Sequence, residues 1–137
     1  MFRRSKVSEA SECIFSVRDY ECDLQGVVNN AVYQNYLEHA RHEFLKNHHI
    51  DFAALAKAGT NLVVVRAELD YKGSLMSGDS FIVRTRFARK SRLKFLFTQN
   101  IIRQGDDKVL LSAEVIGTAV NSQGRPFFPE ELENLLE

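Results

Sequence analysis

The chain has 137 residues, 45% of them apolar and 26% charged, about one domain's worth of sequence and enough to bury a core without disulfide or metal staples. Eighteen Lys and Arg balance eighteen Asp and Glu. A strongly basic nucleic-acid module is therefore disfavoured, and little repulsion opposes self-association.

No apolar run approaches the ~18 residues that span a bilayer, so no membrane partner is expected. The positively charged start, residues 1–6, leads into no apolar segment and does not read as a secretory leader. Only Cys13 and Cys22 are present, without a CxxC spacing, which makes a reduced, cytoplasmic protein the expectation. With no repeat, linker or low-complexity tract, residues 1–137 read as one domain.

In chain order, residues 12–18 alternate, with Cys13, Phe15 and Val17 on one face. A polar, turn-prone stretch follows to about Asn30. Over 31–46 the period becomes helical, and Tyr33, Tyr36, Leu37, Ala40 and Phe44 form one apolar stripe. Asp51 as N-cap and Gly59 just past the end bracket a short helix at 52–58.

Alternation then returns. Residues 62–71 place Val63, Val65, Ala67, Leu69 and Tyr71 on one face, and 80–89 follows with Phe81, Val83, Thr85 and Phe87. A basic connection, Arg89-Lys90-Ser91-Arg92, leads into 93–102, where Leu93, Phe95 and Phe97 share a face. Gly105-Asp106-Asp107 supplies hairpin-turn chemistry. Residues 108–120 then put Val109, Leu111, Ala113 and Val115 inward, and Pro129 opens a short terminal helix. A strand, a loop, a long helix and a meander of antiparallel strands make an α+β fold with the helix lying across the sheet.

The stretch DYECDLQGVVNNAVYQNYLEHAR, residues 19–41, holds the candidate chemistry. Asp23 lies in a loop a few residues before a helix start, where unpaired N–H groups and the positive end of the helix dipole sit. A carboxylate facing such donors can act as base or nucleophile on a carbonyl that they polarise. Gly26 would let the backbone take a positive φ or approach a ligand closely. The bland alternative is that Asp23 caps a turn and Asn29 or Asn30 caps the helix.

Asp23, Gly26, Val27 and Val28, followed by a helix carrying Tyr33, Tyr36, Leu37, Glu38, Ala40 and Arg41, resemble the hotdog-fold acyl-CoA thioesterases, in particular the 4-hydroxybenzoyl-CoA thioesterase branch and its short-chain relatives. Gly78-Asp79 and Gly124-Arg125-Pro126 with Pro129-Glu130 add to the likeness, which runs from about residue 12 to the end. The resemblance implies a long helix wrapped by an antiparallel sheet, subunits joined edge to edge in a homodimer or homotetramer, and an active site at the subunit interface. It places the catalytic carboxylate on Asp23 and the polarising backbone N–H on Asn30. Gly26, Val27, Val28, Asn29 and Tyr33 fall on the substrate-binding lip. Arg89 and Arg92, in a basic cluster with Lys90 and Lys94, suit coenzyme A phosphates, although a solvated hairpin accounts equally well for that cluster.

Many short-chain members carry His where this chain has Asn30, and an Asn relays no proton near neutral pH. G-V-V-N-N is similar to some plant and bacterial long-chain acyl thioesterases, which moves the expected substrate toward fatty acyl thioesters of coenzyme A or an acyl carrier protein. No cofactor is implied. Glu38, three residues before Arg41, reads as half of a helical ion pair rather than a second catalytic acid. His39, His42, His48 and His49 show no metal-ligand spacing, so no metal is expected, and Cys22 has no base beside it. A hotdog hydratase and a non-catalytic acyl-thioester binder are the rival readings.

Overall fold

The computed structural model describes residues 7–136, so the charged start at 1–6, read above for a leader, lies outside the described residues. Strand β1 (Ser11–Ser16) half-buries the side of Cys13 and Phe15, and a 3-10 turn (Asp19–Glu21) opens the polar loop. The long helix α1 (Asn30–Asn47) buries Tyr33, Tyr36, Leu37, Ala40, Phe44 and Leu45, which is the predicted stripe with one addition. Its N-cap is Asn29, whose side chain accepts from the Ala31 amide. The short helix α2 (Phe52–Lys57) is capped by Asp51 through the Ala53 and Ala54 amides.

Four long strands follow: β2 (Asn61–Tyr71), β3 (Ser80–Arg89), β4 (Lys94–Arg103) and β5 (Val109–Val120). A two-residue strand β6 (Pro126–Phe127) pairs with β5, and the chain runs out through α3 (Glu130–Glu133). The pairing is antiparallel throughout, in the order β1-β3-β4-β5-β2. Only β3, β4 and β5 form a meander. Because β1 occupies the free edge of β3, β2 joins at β5, the opposite edge, rather than beside its neighbour in sequence.

Two bulges correct the sequence-based facing. In β2 the register shifts between Val64 and Arg66. Ala67, Leu69 and Tyr71 face the helix as expected, opposite Val115, Ala113 and Leu111. Before the bulge the parity flips, and it is Leu62 and Val64, opposite Ala119 and Gly117, that share this face, not Val63 and Val65. In β5 a shift between Ile101 and Ile102 of the facing strand pairs Val109 with Ile102, which turns Val109 away from the core. One extra residue reverses every side chain beyond it, and strict alternation cannot register that.

The core divides into two clusters. One joins Tyr33, Tyr36 and Leu37 of α1 to Phe81, Val83, Ile101 and Leu111; the other joins Phe44 and Leu45 to Phe87, Phe95, Phe97, Val115 and Leu132. Gln99 is fully buried near the helix. Its amide donates to the Leu37 carbonyl (3.0 Å) and Thr85 Oγ1 (3.1 Å), and its Oε1 accepts from Arg41 Nη1 (3.1 Å). No described buried side-chain nitrogen or oxygen lacks a partner. No helix among the described residues is long and apolar enough to cross a membrane.

Candidate active site

The loop between β1 and α1 is shaped by its own polar groups. The Asp23 N–H donates to the Val27 carbonyl (2.9 Å), Gly26 N–H returns to the Asp23 carbonyl (3.0 Å), and Gly26 takes φ +80°, a conformation glycine adopts at little cost. Asp23 Oδ1 accepts from the Gln25 amide (2.9 Å) and at longer range from Val27 (3.4 Å). Asp23 thus makes the turn-capping contact of the bland reading, and does so with one oxygen. Among the described residues, Oδ2 has no hydrogen-bond partner.

The loop is tied to the helix start and to the β2–β3 connection. Cys22 bridges Val28, Val27 bridges Met76, and Val28 N–H donates to the Leu75 carbonyl (2.9 Å). Ser77 hydrogen-bonds Asp19, while the Asn29 N–H donates to the Glu21 carbonyl (3.1 Å). Glu21 Oε1 accepts from both Tyr36 Oη (2.8 Å) and the Arg18 amide (2.8 Å). Burial, followed by the bond to Glu21, pushes the Tyr36 phenol far above its ordinary value. Sequence reasoning did not single out this Glu21–Tyr36 tether. Its partners lie fifteen residues apart on different elements, and nothing in the spacing announces it.

At the start of α1 the Asn29 side chain takes the Ala31 amide and the Asn29 carbonyl takes Val32 (2.9 Å). Asn30, the first helical residue, is left with an N–H that meets no acceptor among the described residues. Its carbonyl also accepts from Tyr71 Oη (3.3 Å), which fixes the end of β2 against the helix start. An exposed carboxylate oxygen and an unengaged helix-start donor therefore lie seven residues apart on one connection. Neither Asp23 nor Asn30 lines the principal grooves of the chain, and both are exposed.

The other candidates distribute unevenly. Gly26, Val27 and Asn29 sit beside Asp23, while Val28 is buried in the first core cluster. Tyr33 is fully buried, its Oη accepting from the Leu75 amide (2.8 Å) and its ring edge-on to Tyr71 (5.6 Å). Arg89 and Arg92 lie at the opposite end of the strands from Asp23. The Arg89 guanidinium reaches Glu133 (3.1 Å), the carbonyls of Ser91 (3.2 Å) and Arg92 (2.7 Å) and the Phe128 ring (4.0 Å), a structural role at the chain end. Arg92 is exposed.

The expected Glu38–Arg41 ion pair does not form: Arg41 turns inward to Gln99. Burial pulls the Arg41 guanidinium below its ordinary value, an effect that nearby Glu38 opposes. The histidines scatter. His39 lies near Glu43 (3.7 Å), His42 stacks on Phe52 (4.8 Å), and His48 Nδ1 meets the Phe44 carbonyl (2.8 Å). Among the described residues no three His, Cys, Asp or Glu side chains converge.

A family model described as the thioesterase-like superfamily matches residues 17–136. The acyl-acyl carrier protein thioesterase ATL3, chloroplastic, of Arabidopsis thaliana is 37% identical over 120 residues, covering 88% of this chain and 63% of that protein. Its relative ATL2, from the same plant, is 38% identical over 109 residues, covering 80% and 57%. The chain thus spans less than two thirds of either relative's length. Among solved structures, Slr0204, a 1,4-dihydroxy-2-naphthoyl-CoA thioesterase from Synechocystis, superposes with a TM-score of 0.88 at 16% identity, over 93% of this chain and 96% of that one. That likeness shows the fold: the helix wrapped by an antiparallel sheet is a hotdog.

Proposed function

The chain belongs to the thioesterase-like superfamily, and from that premise we propose that it hydrolyses acyl thioesters of coenzyme A or of an acyl carrier protein, releasing a free acid and a thiol. The observation that carries this reading is the pairing on one loop of Asp23, with one oxygen unengaged, and Asn30, with an N–H that no protein acceptor meets. The thioester carbonyl would sit against the Asn30 N–H. Asp23 would then either attack the carbonyl carbon, expelling the thiolate and leaving an anhydride for water to open, or take a proton from an attacking water. In both routes one water is consumed, its oxygen ends in the acid, and the thiol leaves with a proton. The Asn30 side chain can donate a hydrogen bond but relays no proton, so the proton traffic falls to Asp23.

The open site also supports a dimer in which a second copy completes it. β2 is an edge strand, and Val63, Val64 and Val65 are exposed along it. Two-fold antiparallel pairing of β2 would bury these valines and set the partner's helix-end residues beside Asp23. It would also bring Arg92, Lys90 and Lys94 of the partner to the same end, where they suit coenzyme A phosphates. Gly26, Val27 and Asn29 would form the lip over the reacting carbonyl. The free thiols of Cys13 and Cys22 suit a reducing compartment such as the cytoplasm.

The test is thiol release from a panel of acyl-CoAs and acyl carrier protein thioesters. Asp23→Asn keeps an oxygen for the turn, so its melting temperature should stay close to that of the parent. Turnover should fall by about 10²- to 10⁴-fold. Unchanged turnover removes Asp23 from the reaction.

A further inference from the structure

Glu21 closes the 3-10 turn two residues before Asp23, and its hydrogen bonds reach three separate pieces of the fold. Its Oε1 accepts from the Arg18 N–H (2.8 Å), where the chain leaves β1, and from Tyr36 Oη (2.8 Å), in the second turn of α1. Its carbonyl accepts from the N–H of Asn29 (3.1 Å), the residue that caps α1. We propose that Glu21 is a positioning residue for the hydrolysis: it sets how the Asp23 carboxylate stands relative to the Asn30 N–H, without touching substrate itself. The proposal deepens the thioesterase reading and rests on it.

Each reacting group has local support of its own. The Asp23 turn is closed by the Gly26 N–H on the Asp23 carbonyl (3.0 Å) and by the Gln25 N–H on Oδ1 (2.9 Å). Helix α1 is capped by Asn29 Oδ1 on the Ala31 amide (3.0 Å). None of those bonds involves Glu21, so both pieces keep their shape without it. What they lose is a fixed relation to each other. The bridge from Cys22 to Val28 makes the loop a small hairpin, and one leg of it runs straight into α1 through Asn29. Glu21, on the other leg, ties the hairpin back to the helix at Tyr36. Without that second tie the hairpin can swing about its junction with α1, and it carries Asp23 with it.

Stability alone does not call for this arrangement. The Glu21 side chain is only 11% exposed, and its ion-pair partner among the described residues, Arg18 Nη1, stands 3.9 Å away. Tyr36 is buried, so both partners of the tether have left water. Replacing both sides of such a contact by apolar groups of similar size costs a fold little, whereas removing one side strands the other. The rate responds differently. A reacting group displaced by about 1 Å can cost roughly 10²-fold, whatever the melting temperature does. Substitution can therefore separate the two effects.

Tyr36→Phe, the double variant Glu21→Met with Tyr36→Phe, and Glu21→Gln are compared with the parent on the acyl-CoA that the parent hydrolyses fastest. Tyr36→Phe strands the carboxylate and should lower Tm by roughly 4–8 °C. The double variant is apolar on both sides and should regain most of that loss, ending within about 3 °C of the parent. Its kcat should not follow. Both variants should stay about 10- to 100-fold below the parent, with KM within about twofold. Glu21→Gln keeps an acceptor oxygen for Tyr36 and Arg18, and should hold kcat within about threefold. The acid limb of the pH profile for kcat should stay where the parent has it in every variant, because Asp23 is untouched.

A double variant that recovers kcat together with Tm makes the contact purely structural and overturns the proposal. So does a Glu21→Gln loss as deep as that of Asp23→Asn, which would make Glu21 a proton carrier in the reaction. Should the double variant not fold, Leu132→Ala replaces it, removing a buried side chain from the second core cluster. Assayed below its melting range, its kcat should stay within about twofold of the parent while that of Tyr36→Phe falls. Equal losses in those two variants overturn the proposal as well. A parent that turns over no thioester removes the thioesterase reading and the positioning role with it. An active parent whose double variant is equally active removes only the positioning role.

Discussion

The two oxygens of Asp23 have different surroundings: one is held in the turn, and the other, which the proposed reaction would use, meets no partner among the described residues. Oδ1 holds the turn through the Gln25 amide, which explains why the loop can keep an acid at this position without a buried charge partner. The tether formed by Glu21 and Tyr36 does the complementary work of fixing that loop to α1. Tyr36→Phe removes the phenol from Glu21 and leaves the ring packed on Phe81 (4.8 Å) and Phe15 (5.5 Å). The expected cost is about 1–2 kcal/mol, seen as a drop of roughly 4–8 °C in Tm, with a larger proportional loss in kcat than a surface change of equal Tm would bring. Thermal melts beside steady-state assays check both.

The same phenol sets an alkaline limit. Its native pKa is raised by burial and by Glu21, as that of Tyr33 is raised by burial. The folded state therefore keeps these protons where an unfolded Tyr, with a pKa near 10, would lose them. Their contribution is whole below about pH 10 and is lost as pH climbs from there toward the raised native values. Tm plotted against pH should fall above that point, and more gently in Tyr36→Phe.

Among the elements, α1 and the two bulged strands decide how the site is held. Asn29 caps α1 while leaving the Asn30 N–H open, so the cap and the proposed oxyanion donor are successive residues with separate tasks. β5 carries the sharpest packing constraint. At Gly117 a methyl group would press on the Phe95 ring at 2.4 Å and on the Val63 carbonyl at 2.6 Å. Phe95 could swing aside, but the Val63 backbone moves only with the edge strand. Gly117→Ala should therefore cost about 1–3 kcal/mol in urea unfolding. Helix positions were legible beforehand, since Tyr33, Tyr36, Leu37, Ala40 and Phe44 repeat at the helical period and nothing interrupts it. Val63, Val65 and Val109 were misplaced because a bulge leaves no mark in an alternating pattern.

For the whole molecule, the question is what covers β2. Val64 and Val65 are each 51% exposed on a strand whose outer edge pairs with nothing among the described residues. Natural sheets seldom leave such an edge bare. Val65→Lys places a charge on it and should shift sedimentation from dimer toward monomer. Far-UV circular dichroism should be preserved and turnover should fall about tenfold or more, because the site loses its second wall. A fully active monomer would dissociate the site from the pairing. The two core clusters lie on either side of the Gln99–Arg41 hydrogen bond within the one chain.

Local sequence alone determined the long helix and its stripe, the Asp51 cap of α2 and the turn at Asp23 and Gly26, and it narrowed the α1 cap to Asn29 or Asn30. Each depends on residues within a few positions of one another. Tertiary structure alone decided that β2 crosses to the far edge and that Glu21 reaches Tyr36. It also decided that Arg41 prefers Gln99 to Glu38 and that Arg89 is engaged at the chain end. These contacts join residues far apart in sequence or depend on which of two partners lies nearer once the chain is packed. A one-dimensional pattern carries periodicity and spacing but no record of which surfaces meet.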